Sequence, residues 1–209
     1  MKKTLILFLL TGLLAVGWGS TGVAQEQKPL TFDDYSKWNR ISRAGISTDG
    51  QWITYTQTPN GGDLTLFIKN AETDTLYTVA HSNGAIFSDD AKWAAYTVGV
   101  SAKEAKKLRE ARKDVPATGV LLNLATGEKQ SMENINRYAF SNDSKHFVVH
   151  RKKAADDKSK HSGTDLILRN LEDGQLLNIG NVSQFAFNQA ANRLAYTVDA
   201  DAMIGNGLY

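Results

Sequence analysis

Apolar residues in this chain come in short blocks, punctuated by two polar phrases that alternate along the sequence. The first phrase sets a Ser-x-Asp-Gly-like tetrad between two apolar blocks. It runs from Gly45 to Tyr55, returns at Ile86–Tyr96 and Ala139–Val149, and returns once more at Ala186–Tyr196. The second phrase is an apolar block closed by an asparagine and turn residues, at Leu66–Asp74, Leu121–Gly127 and Leu166–Gly174. Around each tetrad the apolar positions alternate or form β-rich runs bounded by Asp, Asn and Gly, which predicts hairpins. Gly127 and Gly174 supply the positive φ that such turns require.

The spacings decide the architecture. From each asparagine to the polar residue opening the next tetrad the distance is 18 residues, for Asn70 to Ser88, Asn123 to Ser141 and Asn170 to Asn188. From that residue to the following asparagine it varies, 23 from Ser47, 35 from Ser88 and 29 from Ser141. One connection is therefore fixed, and one loop absorbs every insertion. Two hairpins per unit make a four-stranded meander, and units of about 40–45 residues of this kind are the signature of β-propeller blades. The expected fold is all-β, a partial β-propeller of four-stranded antiparallel blades over residues 41–209, with three complete blades and an incomplete fourth. Tetrad and asparagine turns should share one face, with all length variation on the other. In a closed ring a further blade would cover Phe185, Phe187 and their neighbours.

The N-terminus reads as an export signal over residues 1–24. Lys2 and Lys3 precede an apolar run from Leu5 to Ala15, and Gly22-Val23-Ala24 is a small-residue cleavage site. The run is too short for a membrane span of about 20 residues, so no stable membrane anchor is expected. Residues 25–40 form a lead-in to the first blade. Location is expected to be periplasmic or secreted. The chain contains no cysteine, which rules out disulfides and thiol chemistry. It has 24 Lys and Arg against 22 Asp and Glu, and loss of Lys2 and Lys3 leaves the mature part formally neutral. Nothing in that balance favours nucleic acid or an anionic membrane. The 209 residues are too few for a ring of these units, so the chain is expected to be the front piece of a longer protein.

Several residues invite a functional reading. Residues 101–114 hold strong helix formers with mixed charge, closed by Pro116; they make either a basic docking helix or a solvated excursion. Residues 151–161 form a second basic run in the same loop of the next blade, expected to be mobile and beside the first. Trp52 and Trp93 share one repeat position, with Phe147 and Leu194 taken as counterparts, which indicates packing between blades. His81, His146, His150 and His161 show no metal-ligand spacing. Asn142-Asp143-Ser144 and Asn181-Val182-Ser183 match a glycosylation acceptor, but both fall in turns the repeat already explains. No Gly-x-Ser-x-Gly occurs, so no catalytic, cofactor-binding or metal-binding residue is assigned.

Phe32–Ser42, Ile46–Tyr55, Thr58–Leu66, the Lys-rich insertion before Asp114-Val115-Pro116, and Gly205–Tyr209 give the chain a resemblance to one family. It resembles the N-terminal propeller of secreted bacterial peptidases of the prolyl oligopeptidase family. The resemblance implies a C-terminal α/β-hydrolase domain, absent from these residues, that would carry Ser, Asp and His. It also implies a peptide substrate that the propeller admits or excludes. The functional expectation is the substrate-gating part of such an enzyme. A non-catalytic periplasmic propeller that binds a protein or glycan stays open as the alternative. N-terminal sequencing of secreted material should begin at or near Gln25; retention of Met1 in a membrane fraction would contradict the signal.

Overall fold

The computed structural model describes residues 29–154, 157–203 and 205–209, so the export signal expected at 1–24 lies outside the described residues. The chain divides into two compact units, residues 1–32 and 33–209, and the second carries the sheets. A helical turn, α1 (Phe32–Tyr35), precedes them. Strands β1 (Asn39–Ile46), β2 (Trp52–Pro59), β3 (Thr65–Asn70) and β4 (Leu76–Ala80) form a meander in chain order. Strands β5 (Ser82–Phe87), β6 (Trp93–Val98), β7 (Thr118–Asn123) and β8 (Lys129–Met132) form a second. The third sheet contains β9 (Ile135–Phe140), β10 (His146–Arg151), β11 (Thr164–Asn170), β12 (Leu176–Phe187), β13 (Leu194–Val198) and β14 (Gly207–Leu208). Every described strand pair is antiparallel. A helix, α2 (Ala102–Glu110), stands between β6 and β7.

The turns fall where the two phrases place them, because their side chains tie down the backbone locally. Ser47 Oγ accepts the Trp52 N–H at 2.9 Å and donates to Asp49 Oδ1 at 2.5 Å, while Asp49 Oδ1 accepts from Gln51 N. Ser88 with Asp90 and Ser141 with Asp143 repeat the arrangement. In the fourth copy Asn188 stands for the serine, and its Oδ1 accepts from Arg193 N at 2.9 Å. The other turns use asparagine in the same spirit. Asn70 Oδ1 caps Glu72 N and Thr73 N, Asn123 Oδ1 caps Ala125 N and Thr126 N, and Asn170 Oδ1 caps Glu172 N. Each link satisfies a backbone donor that the tight turn would otherwise leave without a partner.

The third sheet departs from the expected four strands. The connectors between units are single left-handed residues, His81, Asn134 and Asn181, with φ of 56–58°. Each accepts on its carbonyl oxygen from a residue 18 positions on, Gly99, Lys152 and Asp199 in turn. At the first two connectors the ladder stops. At Asn181 it continues, because Val182 pairs with Thr164 on one side and Val198 on the other. So β12 serves both the end of the third unit and the start of the fourth, and the sheet grows to six strands. The reason lies seven residues before each asparagine. Asp63 and Pro116 stand there in the first two units and Gly163 in the third. A Cβ on Gly163 would lie 2.2 Å from the Asp199 carbonyl oxygen and 2.4 Å from that of Asn181. Only glycine lets β11 run that close to the connector.

The core is a set of layers, two between sheets and a third between the two halves of the six-stranded sheet. Trp52, Leu66 and Ile68 of the first sheet meet Ala94, Tyr96, Val120 and Leu122 of the second. Ala95 and Leu121 meet Phe147, Val149 and Ile135, with Trp93 packed on them. Val148 and Leu166 meet Val182 and Phe185, with Phe187, Leu194 and Tyr196 alongside.

This packing corrects two expectations. The residue whose N–H reaches the turn side chain is Trp52, Trp93, His146 and Arg193. The counterparts of the tryptophans are therefore His146 and Arg193. Phe147 and Leu194 stand one residue later and face the other way, Phe147 toward the second sheet and Leu194 toward the β10–β11 part of its own sheet. Phe185 and Phe187 likewise pack backward in the third layer, so they do not form a flank awaiting a further blade. In the first sheet Ile46 lies opposite Ile53 and both are exposed, as is Ile41.

Gly163→Ala should lower stability by about 2–3 kcal/mol, the scale of a forced overpacking. The control is Gly99→Ala, whose Cβ would sit 3.5 Å from the His81 carbonyl oxygen and should leave denaturant unfolding nearly unchanged. Equal effects from the two substitutions would rule out the close approach as the cause.

Candidate functional site: the clefts and the long loops

The two kinds of turn share one face of the sheets, and between the second and third sheets they enclose a cleft of about 500 Å³. Its lining includes Asp90, Lys92, Trp93, Asp143, Lys145 and Glu172. Neighbouring turns are linked across this face, Asp90 N–H to Ser144 Oγ at 2.9 Å and Asn142 Nδ2 to the Gln189 carbonyl at 3.0 Å. The second link employs the side chain of one glycosylation-type asparagine, and the connector at Asn181 is the other.

The carboxylates of the turns are held in their charged form. The Ser47 hydroxyl, with the Gln51 N–H, holds Asp49 below the ordinary Asp value. Burial pushes Asp90 up, but the Ser88 hydroxyl and the Lys92 N–H and ammonium together carry it below that value. The Ser141 hydroxyl does the same for Asp143. These groups work structurally, since each is engaged within its own turn.

The corresponding cleft between the first and second sheets is filled. Tyr77 stacks on Trp52 with ring centroids 6.0 Å apart, its hydroxyl donates to the Leu124 carbonyl at 3.4 Å, and Lys129 Nζ sits 6.0 Å from its ring centre. Gln130 occupies the position of Tyr77 in the second sheet, opposite Leu121 as Tyr77 is opposite Ile68. Trp93 is accordingly half-buried where Trp52 is buried.

The opposite face carries the long loops. Within residues 101–114 a helix forms over Ala102–Glu110. Ser101 Oγ caps α2 by accepting from Glu104 N, Asp63 Oδ1 accepts from Ala102 N, and Ala105 is buried. Leu108 and Ala111 line a hollow of about 440 Å³ edged by Lys103, Lys107 and Lys113. In the second basic run the described residues gather around a cation. Lys153 Nζ donates to the Ser159 carbonyl at 2.7 Å and to the His161 carbonyl, with Asp157 3.9 Å away. Asp199 anchors the end of that loop through Ser162 N and Oγ, both at 2.6 Å, and the Ser162 hydroxyl holds the Asp199 carboxyl low. The two runs do lie beside each other, since Asp114–Ala117 and Lys152–Ala154 line one cleft of about 290 Å³. Sequence reasoning missed Asp63 and Asp199 as loop anchors, because a single Asp outside a turn phrase carries no local signal.

The histidines do not converge. His150 is buried, with Nε2 2.8 Å from the Val182 carbonyl oxygen and 2.9 Å from Thr164 Oγ1. The carbonyl only accepts, so Nε2 carries the proton. His150 thus fastens β10 to the junction strand. Among the described residues no cluster of three His, Asp or Glu is arranged to hold a metal ion, and no described helix is long and apolar enough to cross a membrane.

No protein-family model matches the chain, and no curated protein matches it in sequence. Among solved structures, the β-propeller domain of the Trilobed protease from Pyrococcus furiosus matches with a TM-score of 0.52 at 15% identity, over 77% of this chain and 49% of that one. The fold is that of a β-propeller. Two prolyl endopeptidases described together are represented by a match with a TM-score of 0.49 at 13% identity, over 84% of this chain and 28% of that one. TolB from Acinetobacter baumannii gives 0.45 at 12% identity, over 78% and 39%. The propeller strands here thus span about half the length of the first neighbour and less of the others.

Ser88→Ala removes both the acceptor for Trp93 N and the donor to Asp90, and should cost about 1–3 kcal/mol at neutral pH. Because the folded state lowers the Asp90 pKa, that turn stabilises the fold above the ordinary Asp range. The contribution fades as pH falls below about 4. The difference between parent and Ser88→Ala should therefore shrink between pH 7 and pH 3 in denaturant melts; a constant difference would show that the carboxylate does not take part.

Proposed function

We propose that this chain is the substrate-gating propeller portion of an exported serine peptidase of the prolyl oligopeptidase type. In this reading residues 41–209 supply three blades and the first part of a fourth, with β12 shared between the last two. Residues 25–40 form the lead-in. A hydrolase domain outside these residues carries the catalytic Ser, Asp and His, and a peptide is the substrate of the whole protein. The location is periplasmic or secreted, after removal of residues 1–24.

The observation that carries this reading is the propeller fold in a chain that covers 49% of a protease's propeller domain. The family-like segments at Phe32–Ser42 and before Asp114 add to it. The gating role follows from the asymmetry of the two faces. One face is built of short turns locked by their own side chains. The other carries loops of variable length, including α2, which suit contact with a neighbouring domain and control of a path to it.

A fluorophosphonate probe tests the assignment. Residues 25–209 alone should remain unlabelled, and the product of the full reading frame should label at one serine within a Gly-x-Ser-x-Gly. Labelling of a single serine in the 209 residues, lost on its replacement by alanine, would place a nucleophile in the propeller and overturn the proposal. A full product that never labels would leave the protein a binding propeller instead.

A further inference from the structure

The cleft between the second and third sheets has an outer part, about 490 Å³, on the side of β8 and β12. Ile167, Leu176 and Met132 give it an apolar wall over the buried Phe147, and Gln130, Arg169 and the acidic Glu133 line it as well. Arg169 lies on β11, opposite Phe147 on one side and Leu176 on the other. Its counterpart in the second sheet, one residue before the turn asparagine, is Leu122, which is fully buried. In the first sheet the same position holds Lys69, which is exposed, so a cation recurs here on a face that the second sheet covers.

The first cleft shows what a cation needs there. Lys129 rests near the Tyr77 ring, and the tyrosine fills the space beside Trp52. In the second cleft the tyrosine has become Gln130 and the lysine has become Leu176. The cation has moved one strand inward, to Arg169. Arg169 Nε is buried and has no hydrogen-bond partner among the described residues. No ion pair to Arg169 occurs among those residues either. A buried Nε–H without an acceptor is costly, and the planar fork of this half-buried guanidinium, whose Nη2 lies beside Gly174, suits a carboxylate.

We propose that this outer cleft binds a small carboxylate with an apolar body, the carboxylate on Arg169 and the body against Ile167 and Leu176. The C-terminal residue of a short peptide and a free aliphatic acid share that chemistry. Arg151 lies on the same face at the far end of the cleft, four residues along β10 from Phe147, too distant to share the same carboxylate. The site stands whether or not a hydrolase domain follows the propeller.

Calorimetric titration and thermal melting of the purified chain test it with four probes. N-acetyl-phenylalanine stands for a peptide C-terminus and octanoate for an aliphatic acid. N-acetyl-phenylalanine amide lacks the charge, and inorganic phosphate lacks the apolar body. At least one carboxylate should bind saturably and raise the melting temperature, while the amide and phosphate do not. Which carboxylate binds identifies the source. Arg169→Leu, which copies Leu122, should weaken binding about tenfold or more and melt at or above the parent temperature. Arg169→Gln should weaken binding equally, and Arg151→Gln should leave it nearly unchanged. Four results would each overturn the proposal: no saturable carboxylate binding, equal binding of the amide, undiminished binding by both Arg169 variants, or a melting temperature of Arg169→Leu well below the parent.

Discussion

Each unit of strands in this chain buries apolar residues against its neighbouring units. The core of the described residues is therefore a series of layers. Trp52, Leu66 and Ile68 complete one layer with Tyr96 and Leu122, while Ala95 and Leu121 on the other side of the second sheet belong to the next. An architecture of this kind tolerates large changes in any loop that stays out of a layer. It does not tolerate a change in the segment that carries the chain from one layer to the next. That segment is the constant 18-residue link, which holds an asparagine turn, a strand, a connector, another strand and a serine-type turn.

The connectors show how strict the link is. His81, Asn134 and Asn181 all adopt left-handed backbone, and all receive a hydrogen bond on the same carbonyl. None is glycine, so about 1 kcal/mol or more of local strain is accepted at each to keep the geometry. A small change next to the connector has a large structural result. With Asp63 or Pro116 beside it the ladder ends; with Gly163 it continues through Val182 and joins two units into one sheet. His150 strengthens that junction by donating to the Val182 carbonyl.

Function in such a molecule belongs to what the layers leave over. The first cleft is sealed by Tyr77 on Trp52, and the second is open because Gln130 replaces the tyrosine. The loop face carries two basic segments of unlike construction. One is a capped helix and the other a loop wrapped on its own lysine, and they meet along Asp114–Ala117 and Lys152–Ala154. These features give neighbouring units different surfaces on one repeated frame, which is how a repetitive fold acquires a particular partner or ligand.

The sequence by itself determined the turns, the strand blocks and the repeat. Ser47 reaching Trp52 N and Asn70 reaching Thr73 N act within five residues, so their signal survives in a linear reading. The propeller architecture followed from the constancy of one spacing. What only the tertiary structure decided was which way each side chain faces. A one-residue shift in aligning the repeats exchanges His146 for Phe147, and in a strand that moves the residue to the other layer. The same holds for the six-stranded sheet, which depends on the missing Cβ of Gly163 meeting carbonyls of Asn181 and Asp199, up to 36 residues away. It holds too for Arg169, whose isolation appears only when strands from two sheets close around it. Contacts within a turn are encoded by neighbours in the chain, whereas facing, merging and enclosure are properties of pairs that the chain brings together only on folding.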